Sequence, residues 1–470
     1  MVGRISERNI LSKLVDADKS DFLAVYGRRR VGKTYLIKQH FENELFFSLT
    51  GQSSATLTQQ LTNFDRSFNE FFPQSEFSSP NNWTEAFQLL KQAINRSRKK
   101  KKVIFIDELP WLDTPKSNFL SSLEYFWNTF ASNRTDILLI VCGSAASWII
   151  NKIINNKGGL HNRITQKIRV EPFTLAECRA LLEYNKIQFN PYQIAQLYMV
   201  FGGIPFYWQA IEKGKSVHQV INDLCFKNTG ILQSEFKNLY ASLFLNAENH
   251  ERIVRILAQK NKGLTRNELL KESKLANAGS FTRILEELIE SGFIRKYHPF
   301  GKLNRESLYQ LIDNYSLFYL NFIENTKLSN KDPWLVKMNS QSYHAWSGYA
   351  FEQLVFLHIP QLLSALGIAG IGVEVSSWKS KKSENGAQID LVLDRADGVI
   401  NLIEVKFGQT EYEITKNYEQ NIRNKVSAFI NENKLKKAVF VGFVTVYGLK
   451  ENMYFYSVQH NIKLIDLFQF

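Results

Sequence analysis

Over its first 170 residues the chain alternates two patterns. Short, mostly continuous apolar runs at 22–26, 45–49, 103–106, 137–142 and 166–170 are separated by stretches whose apolar positions recur at helical spacing. A strand buried on one face alternates apolar and polar residues, whereas a strand buried on both faces does not. The runs therefore predict a parallel sheet with helices on both sides, an α/β unit. From Thr174 to about Leu245 the spacing is helical throughout. Residues 250–259, 265–271 and 280–291 read as three helices, followed by strand-like runs at 292–297 and 307–313 around a loop containing Gly301. From about 335 onward helix and strand signals mix again. The pattern predicts three parts: 1–245, 246–330 and 331–470.

Composition narrows the classes. The 470 residues fit about two to four domains. With 44% apolar and 13% aromatic residues the chain is not a disordered one. Its net charge of +13 is compatible with a polyanionic partner without requiring one. Cys142, Cys178 and Cys225 are far apart and have no CxxC spacing. A disulfide framework or zinc ribbon is not expected, and a reducing compartment is. No run approaches 18 apolar residues, so no membrane helix is expected, and the polar Met1–Glu7 start carries no apolar signal region. A cytoplasmic location is the expectation. The densest charge run, Arg96 to Lys102, reads either as a solvated linker or as a nucleic-acid patch. The histidines show no paired metal-ligand spacing, and His358 reads as a packing residue.

The chemistry begins at Gly27-Arg28-Arg29-Arg30-Val31-Gly32-Lys33-Thr34, between an apolar strand and a helical run. This is GxxxxGK[ST] in the strand–loop–helix setting it needs. Gly27 and Gly32 let backbone N–H groups wrap phosphates, and the helix N-terminus adds positive potential. Lys33 would reach the β- and γ-phosphates of ATP and Thr34 would hold Mg²⁺. The apolar strand 103–106 ends in Asp107-Glu108. Asp107 would bind the metal through water and Glu108 would polarise the attacking water. Ser144, after strand 137–142, is placed to sense the γ-phosphate or orient the water, or is simply a small residue at a strand end. Arg163 is placed either to stabilise charge on a neighbour's nucleotide or to form a surface ion pair.

These residues resemble the AAA+ superfamily. More narrowly they resemble the archaeal and bacterial ATPases that open with a Gly-Arg-x-x-Glu box, here Gly3-Arg4-Ile5-Ser6-Glu7. Glu171-Pro172-Phe173 and Gly202-Gly203-Ile204-Pro205 fit the same group. The resemblance implies a helical lid completing the module to about 245, and it makes Pro205 a lid contact to adenine, alongside the plainer reading of a helix-breaking turn.

The middle segment resembles a winged helix. Its third helix sets Arg283 against Glu286, Glu287 and Glu290, and an acidic face repels phosphate, so a structural or docking role is favoured over groove reading. The loop residues Arg295, Lys296, Lys302 and Arg305 are more basic.

In the last segment, Gln388–Asp394 alternates like a strand, and Val399–Phe407 forms a second across Ala396-Asp397-Gly398. A three-residue loop closed by glycine pairs Arg395 with Val399 and so sets Asp390 opposite Glu404. With a period of two, Asp390, Glu404 and Lys406 share a face, while Ile403, Val405 and Phe407 point to the core. Two carboxylates and a lysine suit a divalent metal and a water at a phosphodiester. The set resembles the PD-(D/E)xK restriction-endonuclease-like fold, with Glu352 on the preceding helix as its usual further acid. The resemblance implies Mg²⁺ or Mn²⁺ at Glu352, Asp390 and Glu404, with Tyr418, Gln420 or Arg423 approaching DNA.

The expectation is an ATP-hydrolysing, homo-oligomeric enzyme whose C-terminal part cuts nucleic acid, DNA foremost, with no membrane partner. The alternative is a nucleotide-dependent signalling or assembly switch of the STAND-like type, whose C-terminal part only binds DNA or protein.

Overall fold

The computed structural model describes residues 1–469 except 74–77, 145, 156–157, 161, 245, 261, 303–305, 327–331, 339 and 381–386. Arg305 lies outside the described residues. The chain divides into two compact units, Met1–Pro172 and Phe173–Phe470.

In the first unit five parallel strands form one sheet: β1 (Asp21–Tyr26), β2 (Leu45–Thr50), β3 (Lys102–Asp107), β4 (Ile137–Gly143) and β5 (Gln166–Arg169). Their spatial order is β2-β3-β4-β1-β5. All five coincide with the expected runs to within a residue at either end. Every residue of β3 and β4 is buried, as continuous apolar sequence requires of central parallel strands. Helices Leu57–Phe71 and Trp83–Arg96 cover one face, burying Phe64, Phe68, Trp83 and Phe87 with the sheet residues Phe47, Ile104 and Leu139. Each helix begins at a side-chain cap, Thr56 with Gln59 and Asn82 on the Glu85 N–H. Because β1 lies between β4 and β5 while the chain leaves it for β2, a crevice opens at the carboxyl ends of β1, β3 and β4.

The last two lysines of the basic run are structural. The Lys101 ammonium donates to the carbonyls of Ala17 and Lys19 at 2.8 and 2.6 Å, and Lys102 is buried on Asp136 at 2.6 Å. Arg98, Lys99 and Lys100 are exposed.

The second unit opens with helices from Leu175 to Ala241, which pack with the helices Asn314–Phe318 and Gln341–Leu357. Helices Ala247–Ala258, Arg266–Ser273 and Gly279–Glu290 come next. With them goes an antiparallel sheet of β6 (Leu264–Thr265), β7 (Ile294–Tyr297) and β8 (Leu308–Leu311), in the order β6-β8-β7. The acidic third helix is used internally, since Glu287 meets the buried His250 ring at 2.7 Å. The β7–β8 loop docks inward. The Phe300 N–H donates to the Ser377 carbonyl at 2.9 Å, and its ring lies 4.9 Å from that of Phe429.

The last part is a five-stranded sheet of β9 (Val373–Lys379), β10 (Gln388–Arg395), β11 (Val399–Lys406), β12 (Ala438–Thr445) and β13 (His460–Lys463), ordered β13-β12-β11-β10-β9. β9, β10 and β11 are antiparallel. Helix Lys416–Asn433 then carries the chain over to β12, which runs parallel to β11. Leu391 pairs with Ile403 and Asp394 with Ile400, the register that the three-residue turn required. The face carrying Glu404 is more covered than expected. Ile400 and Leu402 on that face are buried beneath the helix, with Phe429 and Trp378.

His358 is fully buried. Its Nε2 accepts the Leu175 N–H at 3.0 Å and its Nδ1 donates to the Leu354 carbonyl at 2.8 Å, which defines the neutral tautomer. Burial lowers its pKa to about 4. Above pH ~6.5 both folded and unfolded forms are neutral, and the stability is present in full. As the pH falls to 4 only the unfolded chain takes up the proton, so roughly 3 kcal/mol is lost. Urea midpoints of wild type and His358→Gln, compared at pH 7.5 and 4.5, should show a shallower pH dependence in the variant. Parallel dependences would contradict the assignment.

Candidate functional site

The first unit gathers its polar residues at the carboxyl ends of β1, β3 and β4. Gly27 leaves β1 at φ +142, and a Cβ there would sit 2.4 Å from the Val170 carbonyl oxygen, so only glycine lets the loop pass β5. Gly32, at φ +91, caps helix Lys33–Phe41. The Lys33 ammonium is buried and donates to the carbonyls of Gly27 and Arg28, both at 2.9 Å. Burial depresses its pKa, against the opposing charges of Glu108 and Asp107.

The Thr34 hydroxyl donates to Asp107 Oδ2 at 2.7 Å, so the two groups expected on Mg²⁺ already converge. The Glu108 N–H donates to Asp107 Oδ1 at 2.9 Å. Glu108 itself adopts the left-handed conformation, φ +46, a strained backbone of the kind that collects at functional sites. Its carboxylate accepts the Ser144 hydroxyl at 2.6 Å and the Ser144 N–H at 3.2 Å. Ser144 is thus a positioning partner of Glu108. The donor set fits a nucleoside triphosphate with Mg²⁺: a lysine ammonium, a helix N-terminus, and a hydroxyl–carboxylate pair.

Arg163 is exposed on the turn before β5. Pro205 is buried as the first residue of helix Pro205–Gln209 in the second unit. The preceding glycines serve packing, since a Cβ on Gly203 would lie 1.9 Å from the Phe173 carbonyl oxygen.

Motif reading gave Arg4 no contact. Only 5% exposed, it donates to the Val31 carbonyl of the phosphate loop at 2.9 Å and to the Glu171 carbonyl at 2.6 Å, and it meets Glu7 at 3.2 Å. The Gly-Arg-x-x-Glu box therefore holds the loop to the exit of β5. Arg4→Ala leaves both carbonyls without this donor and is expected to cost about 3 kcal/mol. A urea midpoint lowered to match, with weaker binding of a fluorescent ATP analogue, would agree. An unchanged midpoint would not.

The second unit brings Glu352, Asp390, Glu404 and Lys406 together. Glu404 is nearly inaccessible. Its carboxylate accepts the Tyr418 hydroxyl and the Lys425 ammonium, each at 2.7 Å, and Lys406 at 3.2 Å. Burial pushes this carboxyl up, but the charges of Lys406 and Lys425 and the bonds from Lys425 and Tyr418 outweigh it, so Glu404 stays ionised. Asp390 Oδ2 accepts the Val405 N–H at 3.1 Å. Burial and the Glu404 charge raise its pKa. Burial, then the charge of Asp390, raise Glu352 to about 8. Lys406 is held charged by Glu404 and Asp390 against its own burial.

Lys425, one of the two lysines on Glu404, had no motif to betray it, although its place two helical turns after Tyr418 puts it on the same face. Tyr418 is engaged with Glu404 rather than free for DNA. Arg423 pairs with Glu419, and Gln420 bonds Asn424 at 3.1 Å. The expected three-acid metal set is corrected in one respect. Among the described residues no three His, Cys, Asp or Glu side chains group closely enough to hold a metal ion. Both Glu404 oxygens are engaged, Oε1 by Lys425 and Oε2 by Tyr418 and Lys406. No helix among the described residues is long and apolar enough to cross a membrane.

Comparison with known proteins agrees with the first unit. Residues 1–211 match the model of a family described as an ATPase domain predominantly from Archaea. The uncharacterized protein MJECL04 of Methanocaldococcus jannaschii is 24% identical over 422 residues, 86% of this chain and 87% of that protein. The Walker-type ATPase paby2304 of Pyrococcus abyssi superposes with a TM-score of 0.50 at 14% identity, over 68% of this chain and 96% of that one. Residues 1–211 are thus similar to an archaeal-type ATPase domain, and the sheet order with the Lys33, Thr34 and Asp107 geometry gives them a P-loop fold.

Proposed function

We propose that the chain couples ATP hydrolysis in its first part to metal-dependent cutting of nucleic acid in its last. The observation that carries the second half is the position of Asp390, one residue beyond the recorded Leu391–Ile403 pair, where its carboxylate accepts the Val405 N–H and feels the charges of Glu404 and Lys406. The order of elements around it supports the same reading: helix Gln341–Leu357, three antiparallel strands, a crossover helix, two parallel strands.

In this reading Lys33 binds the β- and γ-phosphates, Thr34 and Asp107 hold Mg²⁺, and Glu108, aimed by Ser144, takes a proton from the attacking water. Arg163 acts on a neighbouring protomer's nucleotide in a homo-oligomer, and Pro205 meets the adenine. At the second site Asp390 and Glu404 hold Mg²⁺ or Mn²⁺, a metal that supplies an activated water. Glu352 stands at the edge of the pair, kept protonated near neutral pH by its burial, and Lys406 offsets charge building on the phosphodiester. The three parts are 1–245 with a helical lid, a winged-helix-like 246–330 whose wing is docked rather than free, and a nuclease-like 331–470. DNA is the expected substrate, and the setting is cytoplasmic.

Purified protein incubated with plasmid and linear DNA, with Mg²⁺ or Mn²⁺ and with or without ATP, tests the whole reading beside Asp390→Ala. Metal-dependent cutting lost in the variant is expected. A second reading, a nucleotide switch with a C-terminal docking domain, is favoured by the lack of a three-ligand cluster among the described residues. Intact ATP turnover without cutting under any of these conditions would select it.

A further inference from the structure

We propose that a cavity beside Asp390 and Glu352 receives one unpaired nucleotide of a single strand, an inference that rests on the nucleic-acid reading of that site and names its substrate form. The cavity has a volume of about 820 Å³ and lies within the second unit. Glu352 and Asp390 form one end. Lys379 and Trp378 of β9, Arg295 and Tyr297 of β7, and Lys262 line its walls.

The wall made by the β7–β8 loop is fixed. Besides the Phe300–Ser377 bond and the packing of Phe300 on Phe429, the Tyr297 hydroxyl donates to the Lys262 carbonyl at 2.9 Å. This volume is within the range of small-molecule sites, about 300–1,000 Å³. It suits one nucleotide, whereas a base-paired helix has a major groove alone about 12 Å wide. A nucleotide must therefore leave a duplex, or come from a single strand, to reach the acids.

The charges point to a phosphate. Arg295 bonds the Gln310 side chain at 2.9 and 2.5 Å and pairs with no carboxylate among the described residues. Lys262 and Lys379 likewise form no ion pair among the described residues, while Lys262 feels the charges of Glu352 and Asp390. Two acids on the wall are already engaged, Glu306 by Lys302 at 3.0 Å and Glu432 by the Ser380 hydroxyl. Three cations without carboxylate partners beside two crowded acids are a site for a bridging phosphodiester. The Arg295 guanidinium lies 3.7 Å from the Phe356 ring centroid and 5.1 Å from that of Tyr297, so the cation and the two rings form one stacked group at this wall.

The test uses the full chain in EDTA, so that nothing is cut, with fluorescence anisotropy of a labelled dT12 strand and of the dT12·dA12 duplex. The single strand is expected to bind at least ~10-fold more tightly than the duplex. Lys262→Ala with Lys379→Ala should lower single-strand affinity ~10-fold or more. Lys99→Ala with Lys100→Ala, which removes equal charge from the exposed basic run, should change it little. Melting curves verify that each variant is folded, and Arg295→Gln gives an independent weakening. Equal or tighter duplex binding, wild-type affinity in the Lys262/Lys379 variant, or an equal loss in the Lys99/Lys100 variant would overturn the pocket. Failure of cutting is separable: binding with this pattern but no cleavage refutes the nuclease reading alone, and cleavage indifferent to these lysines refutes the pocket alone.

Discussion

Lys33→Ala is expected to reduce ATP turnover by at least ~100-fold while leaving the protein folded. The ammonium is buried among loop carbonyls and feels Asp107 and Glu108, so it is poised to exchange those carbonyls for phosphate oxygens. In a site shielded from water, one such charge is worth a factor of about 10²–10³. Glu108→Gln separates binding from chemistry. The amide oxygen still accepts the Ser144 hydroxyl, so nucleotide affinity should hold, but an amide takes no proton from water. Phosphate release should fall by about 10²–10⁴. Binding of a fluorescent ATP analogue and phosphate release, measured on both variants, decide the matter. Turnover at the wild-type rate in either would sink the assignment.

The second large effect is expected at Asp390, where function and stability should move in opposite directions. Asp390 is half-buried against the ionised Glu404, and that repulsion helps raise its pKa. A divalent cation would relieve the repulsion, but without one the pair is a liability. Asp390→Asn removes the like charge and keeps an oxygen to accept the Val405 N–H. Melting in EDTA should therefore rise, while metal-dependent cutting disappears. Glu404→Ala should do the reverse to stability. It strands Lys406, Lys425 and Tyr418 around an empty position, and leaving buried charges unpartnered costs about 3–5 kcal/mol. A stabilised Asp390→Asn that still cuts would remove Asp390 from the chemistry. A destabilised one would show that its charge serves the fold.

Much of the first unit was legible because its signals are local. Continuous apolar runs name the buried strands, and the glycines of the phosphate loop are demanded by the loop's own backbone: Gly27 clears Val170 and Gly32 sits at φ +91. The Asp390–Glu404 register was equally local, set by a three-residue turn. Arg4, Lys425 and the docked Phe300 loop were not legible. Arg4 works on carbonyls 27 and 167 residues away, Lys425 reaches Glu404 across a crossover, and the wing segment leaves its own small sheet to bond β9.

By itself, then, the sequence determined the features that a spacing of a few residues dictates: the strands, the phosphate loop, the paired acids after β3, and which residues of β10 and β11 oppose each other. Tertiary structure decided which charges are neutralised and by whom. It caught Lys33 on the loop carbonyls, gave Glu108 to Ser144, surrounded Glu404 with two lysines and a tyrosine, and left Arg295, Lys262 and Lys379 facing a cavity without carboxylate partners among the described residues. The physical reason is range. Backbone conformation is set by neighbours along the chain, whereas burial and Coulomb interaction depend on distance in space, which no local pattern records.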